Sequence, residues 1–133
     1  NFFNAHLIRV DNEFHVETDN MSFEISPEMA NLLAQSWVAA PATDVIVGIR
    51  PEQIYLTDPN GIGAFKGNLG VSELMGSTVH LHVHTNDGNF VLIVPATDFS
   101  KRNLKIGDEV WFKFEDNAVH LFDKNTQDNL VKY

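Results

Sequence analysis

Apolar and polar residues alternate with a period of two along most of the chain, and turn-forming residues interrupt the alternation every few positions, the mark of an antiparallel β structure. Short strands are predicted over 6–10, 14–18 and 22–25, with turns at Asp11-Asn12 and Asp19-Asn20. Strands over 45–49 and 54–56 follow, the second ended by Asp58-Pro59-Asn60-Gly61. Hairpins are predicted between 78–84 and 90–94 across Asn86-Asp87-Gly88, and between 110–114 and 119–122 across Asp116-Asn117. Over 110–114, Val110, Phe112 and Phe114 take one face, and Trp111 and Lys113 the other. Gly67, Gly70 and Gly76 lie in the extended segment 63–76, where glycine marks bulges and bends of a strand that coils round a small barrel.

One segment departs from the period of two. Ser26 supplies an N-cap, Pro27 a first helical residue, Glu28 an acid in the first turn, and Met29, Leu32 and Leu33 a single apolar face, which predicts a helix over 27–36 covering a barrel end. The order of elements implies a mainly β fold in one domain. An OB-like antiparallel β-barrel is expected over 61–123, preceded by a strand-and-helix elaboration over 1–60 and followed by a tail over 124–133. The stretch 39–43 is linker-like but too short to separate domains.

A chain of 133 residues with 44% hydrophobic residues and ten Phe has the material for a core, since a globule of this size buries roughly two thirds of its unfolded surface. The absence of Cys removes disulfides, thiolate metal sites and a Cys nucleophile together. No apolar run approaches the roughly 20 residues that cross a bilayer, and no charged-then-apolar leader opens the chain, so a soluble piece is expected. The missing initiator Met is read as the sign of a fragment of a longer protein. The formal charge of −9 repels polyanions and anionic lipid, which excludes nucleic-acid binding through counterion release. Lys101, Arg102 and Lys105 form the only basic cluster, expected as a solvated loop.

The most informative motif is Val47-Gly48-Ile49-Arg50-Pro51-Glu52, in which Pro51 stops a buried strand and fixes Arg50 and Glu52 just beyond its end. It resembles the "GIRPE" signature in the C-terminal regulatory region of ATP-binding subunits from sugar-importing ABC transporters, the maltose and multiple-sugar branch, a domain of the transport-associated OB type. Val71-Ser72-Glu73-Leu74-Met75-Gly76 is similar to that family's "V.E.LG" element, 106–123 to its closing hairpin, and Asn1-Phe2-Phe3-Asn4 to its linker. The resemblance spans nearly the whole chain. His80, His82 and His84 and the loop 96–105 lie outside the family pattern and inherit no role from it.

The resemblance implies a non-catalytic regulatory and dimerisation domain that holds two ATPase subunits together and receives regulatory partners. ATP and Mg are then expected on a preceding ATPase domain, with no cofactor in this fragment. Expected partners are a second copy, the transmembrane permease subunits and a sugar-phosphotransferase regulatory protein, on the cytoplasmic face of the plasma membrane. The alternative is a small-ligand module of the molybdate-like oxyanion kind.

The residues themselves carry little catalytic chemistry. Gly61-Ile62-Gly63-Ala64-Phe65-Lys66-Gly67 has the wrong spacing for a phosphate-cradling loop, and no Ser stands in a Gly-x-Ser-x-Gly elbow, so no catalytic residue is expected. His80, His82 and His84 share one strand face, with neighbours roughly 6.6 Å apart, so two of them are candidate metal ligands, against the plainer reading of a solvent-facing polar row. Arg50, Glu52, Glu73, Trp111, His120 and Phe122 are the candidate interface residues. Trp37 and Trp111 are expected at an edge or interface.

Overall fold

The structure is a computed structural model that describes residues 1–11, 13–36 and 42–130. Among the described residues, ten strands and two helices divide between two compact units: a middle unit of Arg50–Glu115 with Asn1, and a terminal unit of Phe2–Ile49 with Asp116–Tyr133.

In the terminal unit, β1 (Phe2–Val10) turns Phe3, Ala5 and Leu7 inward and Asn4 and His6 outward, the one-face burial that a period of two dictates. It pairs antiparallel with β2 (Glu13–Glu17) and with β4 (Ala42–Ile49); β2 also pairs with the short β3 (Ser22–Glu24). The fifth strand is β10 (Val119–Asp123), which pairs with β4 to give the order β10-β4-β1-β2-β3. Helix α1 occupies Pro27–Ser36, as the cap chemistry predicts. Ser26 Oγ accepts the Met29 N–H at 3.3 Å, and Met29 and Leu33 are buried. Asn117, at φ 61, binds the helix start through its side chain: Ser26 Oγ donates to Asn117 Oδ1 at 2.8 Å, and Asn117 Nδ2 donates to Glu28 at 3.2 Å.

Beyond β10, the Asp123 carboxylate accepts the backbone N–H groups of Thr126 at 2.9 Å and Asn125 at 2.8 Å. These bonds, Thr126 first, favour the ionised form and hold its pKa below the usual aspartate value. Their stabilisation is therefore present above the ordinary carboxylate range and is lost as pH falls through the lowered value.

The middle unit is a second antiparallel sheet, ordered β5-β9-β6-β7-β8. Its strands are β5 (Ile54–Thr57), β6 (Phe65–Met75), β7 (Thr78–Thr85), β8 (Gly88–Pro95) and β9 (Glu109–Phe114). The sheet curls so that β8 packs against β5 and against a single 3-10 turn over Pro51–Gln53. The register slip between Leu69 and Ser72 is the bulge that the glycines of this segment announce. Phe90, Leu92, Val94, Val79, Leu81, Val83, Val110 and Phe112 are buried, and Phe112 lies 5.6 Å from Phe90 and 5.9 Å from Phe65 between ring centroids. Asn1 caps the outer edge of β8, donating to Val91 O at 2.8 Å and accepting Val91 N–H at 2.7 Å.

Three expectations are corrected. The hairpin of 110–114 with 119–122 does not form: β9 pairs with β5 and β6, while β10 pairs with β4. The barrel strands accordingly begin at Ile54 and end at Phe114 rather than running over 61–123. The solvated loop expected at 96–105 contains a second helix, α2 (Ala96–Arg102), closed by Asn103 in the left-handed region at φ 52. Trp37 and most of the linker-like stretch 39–43 lie outside the described residues.

Candidate functional site

Arg50 and Glu52 flank Pro51 where β4 gives way to the 3-10 turn, and both are exposed. The turn is held by Gln53 N–H to Arg50 O at 3.0 Å, and among the described residues no ion pair joins the two side chains. Both charges are thus open to water.

The later half of β6 offers a larger surface. Phe65 to Asn68 pair with β9, but beyond Leu69 the strand pairs only with β7 among the described residues. Along this open edge Val71, Leu74 and Met75 are 57%, 72% and 54% exposed. An unpaired strand edge bearing large apolar side chains is a template for another strand. Glu73 lies on this stretch, its carboxylate 3.6 Å from His82 Nε2.

Trp111 is half-buried on β9, with Lys66 Nζ 5.7 Å from its ring centre. It borders a cavity of about 240 Å³ together with Leu56, Pro59, Arg102, Leu104 and Val110. Arg102 is already engaged there. Its Nε donates to Asp98 at 3.1 Å, Nη1 to Thr57 O at 3.0 Å and Nη2 to Leu56 O at 3.4 Å, so it fastens α2 to the end of β5. Lysine cannot reproduce this fork. Arg102→Lys is expected to lower the stability of the middle unit by about 1–2 kcal/mol, read by urea unfolding, because two strand-end carbonyls lose a charged donor.

His120 and Phe122 are half-buried on β10 in the terminal unit, where Phe122 packs against Phe2 at 6.2 Å. The six interface candidates therefore divide between the two units. Of the histidine row, His80 and His82 are half-buried and His84 is exposed, while Val79, Leu81 and Val83 fill the core on the opposite face. His84 Nδ1 lies 2.6 Å from Asn89 Oδ1. Among the described residues the row forms no group of three metal-ligating atoms; one such group does exist, at Glu13, His15 and Glu24. The exposed edge of β6 and this triad were both missed from the sequence. The edge depends on where β9 begins opposite β6, and the triad on the register of β2 with β3, neither of which a local pattern reveals.

Residues 47–122 match the family described as TOBE domain. The chain is 28% identical over 88 residues to the oligosaccharides import ATP-binding protein MsmX of Bacillus subtilis (strain 168), covering 63% of this chain and 23% of that protein. It is 30% identical over 90 residues to the xylose/arabinose import ATP-binding protein XacK of Haloferax volcanii, covering 67% and 24%. The chain thus spans about a quarter of the length of these relatives. Among solved structures, the cytoplasmic molybdate-binding protein ModG with molybdate bound superposes with a TM-score of 0.68 over 91% of this chain and 94% of that one. At 15% identity that likeness shows the OB-like fold.

Proposed function

We propose that this chain, which belongs to the TOBE domain family, is the non-catalytic regulatory and dimerisation domain of an ATP-binding subunit in a sugar-importing ABC transporter. The observation that carries the reading is the family match over 47–122, which takes in both the Arg50-Pro51-Glu52 punctuation and the open edge of β6. Similarity to two import ATP-binding proteins, each about four times longer than the matched stretch, supports a place within a longer subunit that holds ATP and Mg on another domain. Permease subunits, a sugar-phosphotransferase regulator and a position on the cytoplasmic face of the membrane follow from the same reading.

The role is tethering. Two ATPase domains joined through a persistent contact meet at an effective concentration of order millimolar, so each closure on ATP need not await a fresh encounter. Any partner that prefers the open arrangement would then slow transport by linkage. The exposed side chains of Val71, Leu74 and Met75 beside unpaired backbone supply a surface for the second copy, with strand pairing for affinity and apolar side chains for area. Arg102, the cation lining the middle unit's cavity, is already bound to Leu56, Thr57 and Asp98, which weighs against the oxyanion alternative.

Light scattering across micromolar concentrations tests the reading. A dimer that dissociates on dilution is expected, and Leu74→Glu is expected to shift it to monomer while leaving the far-ultraviolet circular dichroism unchanged. A folded chain that stays monomeric at every concentration would overturn the tethering role.

A further inference from the structure

We propose that Glu13, His15 and Glu24 form a binding site for a divalent transition-metal ion of the zinc type. Glu13 and His15 stand two residues apart on β2 and therefore project from one face of the sheet. Glu24 lies directly across from His15 in the register of β2 with β3, which places its side chain on that same face. One ligand atom from each of the three falls within 4.8 Å of the others, and His15 Nε2 is 3.8 Å from Glu13 Oε2. Two strand positions plus a cross-strand neighbour give three donors whose backbone is fixed by the sheet. Phe14 and Val16, fully buried on the opposite face, hold β2 in place.

The donor chemistry selects the ion. One imidazole nitrogen with two carboxylate oxygens suits zinc and its neighbours, whereas magnesium and calcium prefer oxygen alone. Bonds of about 2.0–2.2 Å require the three atoms to draw somewhat closer together. Both glutamates are exposed, so their side-chain bonds are free to rotate toward that spacing. Two negative charges beside a neutral imidazole are balanced by a dication.

The surroundings provide a further condition. Glu13 and Glu24 border a cavity of about 240 Å³ completed by Phe14, Ile25, Pro27, Ala30 and Asn31, in the terminal unit. His15 is not among the residues lining that cavity, so the coordination position that an ion held by three protein atoms keeps for water or a small anion follows from the donor count alone. The histidine row of β7 lacks this arrangement, since His82 has Glu73 and His84 has Asn89 but, among the described residues, no third donor joins either pair.

Titration of the 133-residue chain with Zn²⁺, and with Co²⁺ for its visible absorption, tests the site. One equivalent is expected to bind saturably, with excess Mg²⁺ failing to compete. His15→Ala and Glu24→Gln are each expected to weaken binding about tenfold or more, and the triple change His80→Ala, His82→Ala, His84→Ala is expected to leave it unaltered. Nuclear magnetic resonance on the unsubstituted chain gives an answer that does not depend on any variant folding: substoichiometric Co²⁺ should perturb the His15 ring signals before those of the other five histidines. Absence of saturable binding, equal affinity in His15→Ala, or perturbation centred on His82 or His84 would overturn the proposal.

Discussion

Phe112→Ala is expected to lower the unfolding free energy of the middle unit by about 3–5 kcal/mol, the range for removing a large aromatic from a packed core. Phe112 has no exposure, and the rings of Phe65, Phe90 and Phe114 lie 5.9, 5.6 and 6.1 Å from its own. Truncation therefore removes three ring contacts as well as the transfer free energy of the side chain, and neighbours fixed on β6, β8 and β9 close the space only in part. Phe112→Leu keeps most of the volume and is expected to cost less than half as much. Urea unfolding of both variants checks the ordering: equal effects would mean that the cluster relaxes and that the rings are not a close-packed unit.

Gly67→Ala is the second large effect, and it acts by excess rather than loss. A Cβ at Gly67 would stand 2.5 Å from Val83 Cγ1 and 2.9 Å from the His84 carbonyl oxygen. Neither can yield easily, because β6 is paired with β7 on one side and, at this position, with Val110 of β9 on the other. Overpacking of this kind costs about 1–3 kcal/mol or more, and it is expected to fall on the β6–β7 pairing. Gly76→Ala makes the comparison. Gly76 has φ +67 with no atom within 4 Å of an added Cβ, so its cost is backbone strain alone, about 1 kcal/mol. A thermal melt in which Gly76→Ala is the more damaging would contradict the close approach at Gly67.

Which parts of the structure could be read from residue order follows from where each signal is encoded. Helix α1 was legible to its ends because Ser26, Pro27 and Glu28 are local chemistry, acting within one turn of themselves. The strand 78–84 was legible because Val79, Leu81 and Val83 alternate without interruption. Helix α2 was not: Thr97, Asp98 and Ser100 are indifferent helix formers, it contains no buried residue, and its anchorage comes from Arg102 reaching the carbonyls of Leu56 and Thr57, some 45 residues earlier. The Asp116-Asn117 pair has hairpin chemistry, yet Asn117 directs its amide to Ser26 and Glu28, and the chain leaves β9's sheet there for β4. Tertiary partners decided that turn.

The same division separates the candidate sites. His80, His82 and His84 attract notice because they are contiguous at strand spacing, although the structure assembles no three-donor group from them. Glu24 becomes a neighbour of His15 only through the register of β2 and β3, set by the turn in which Thr18 Oγ1 accepts the Met21 N–H at 2.9 Å. Likewise the exposed edge of β6 exists because β9 begins at Glu109 and leaves the later residues of β6 without a second neighbour, a matter of strand length that composition does not carry.

The return of β10 to β4 bears on how the polypeptide is made. Every strand of the middle unit has left the ribosome once Phe114 emerges, so that sheet can pair during synthesis, while the sheet begun by Phe2–Val10 waits for Val119–Asp123. Until then the outer margin of β4 carries bare amide and carbonyl groups from an apolar strand, and closing it demands contact between residues about 70 positions apart, a slow step for a nascent chain. The newborn protein is most exposed to sticking in the interval between those two events, and any chaperone that attends it has β4 as its natural client.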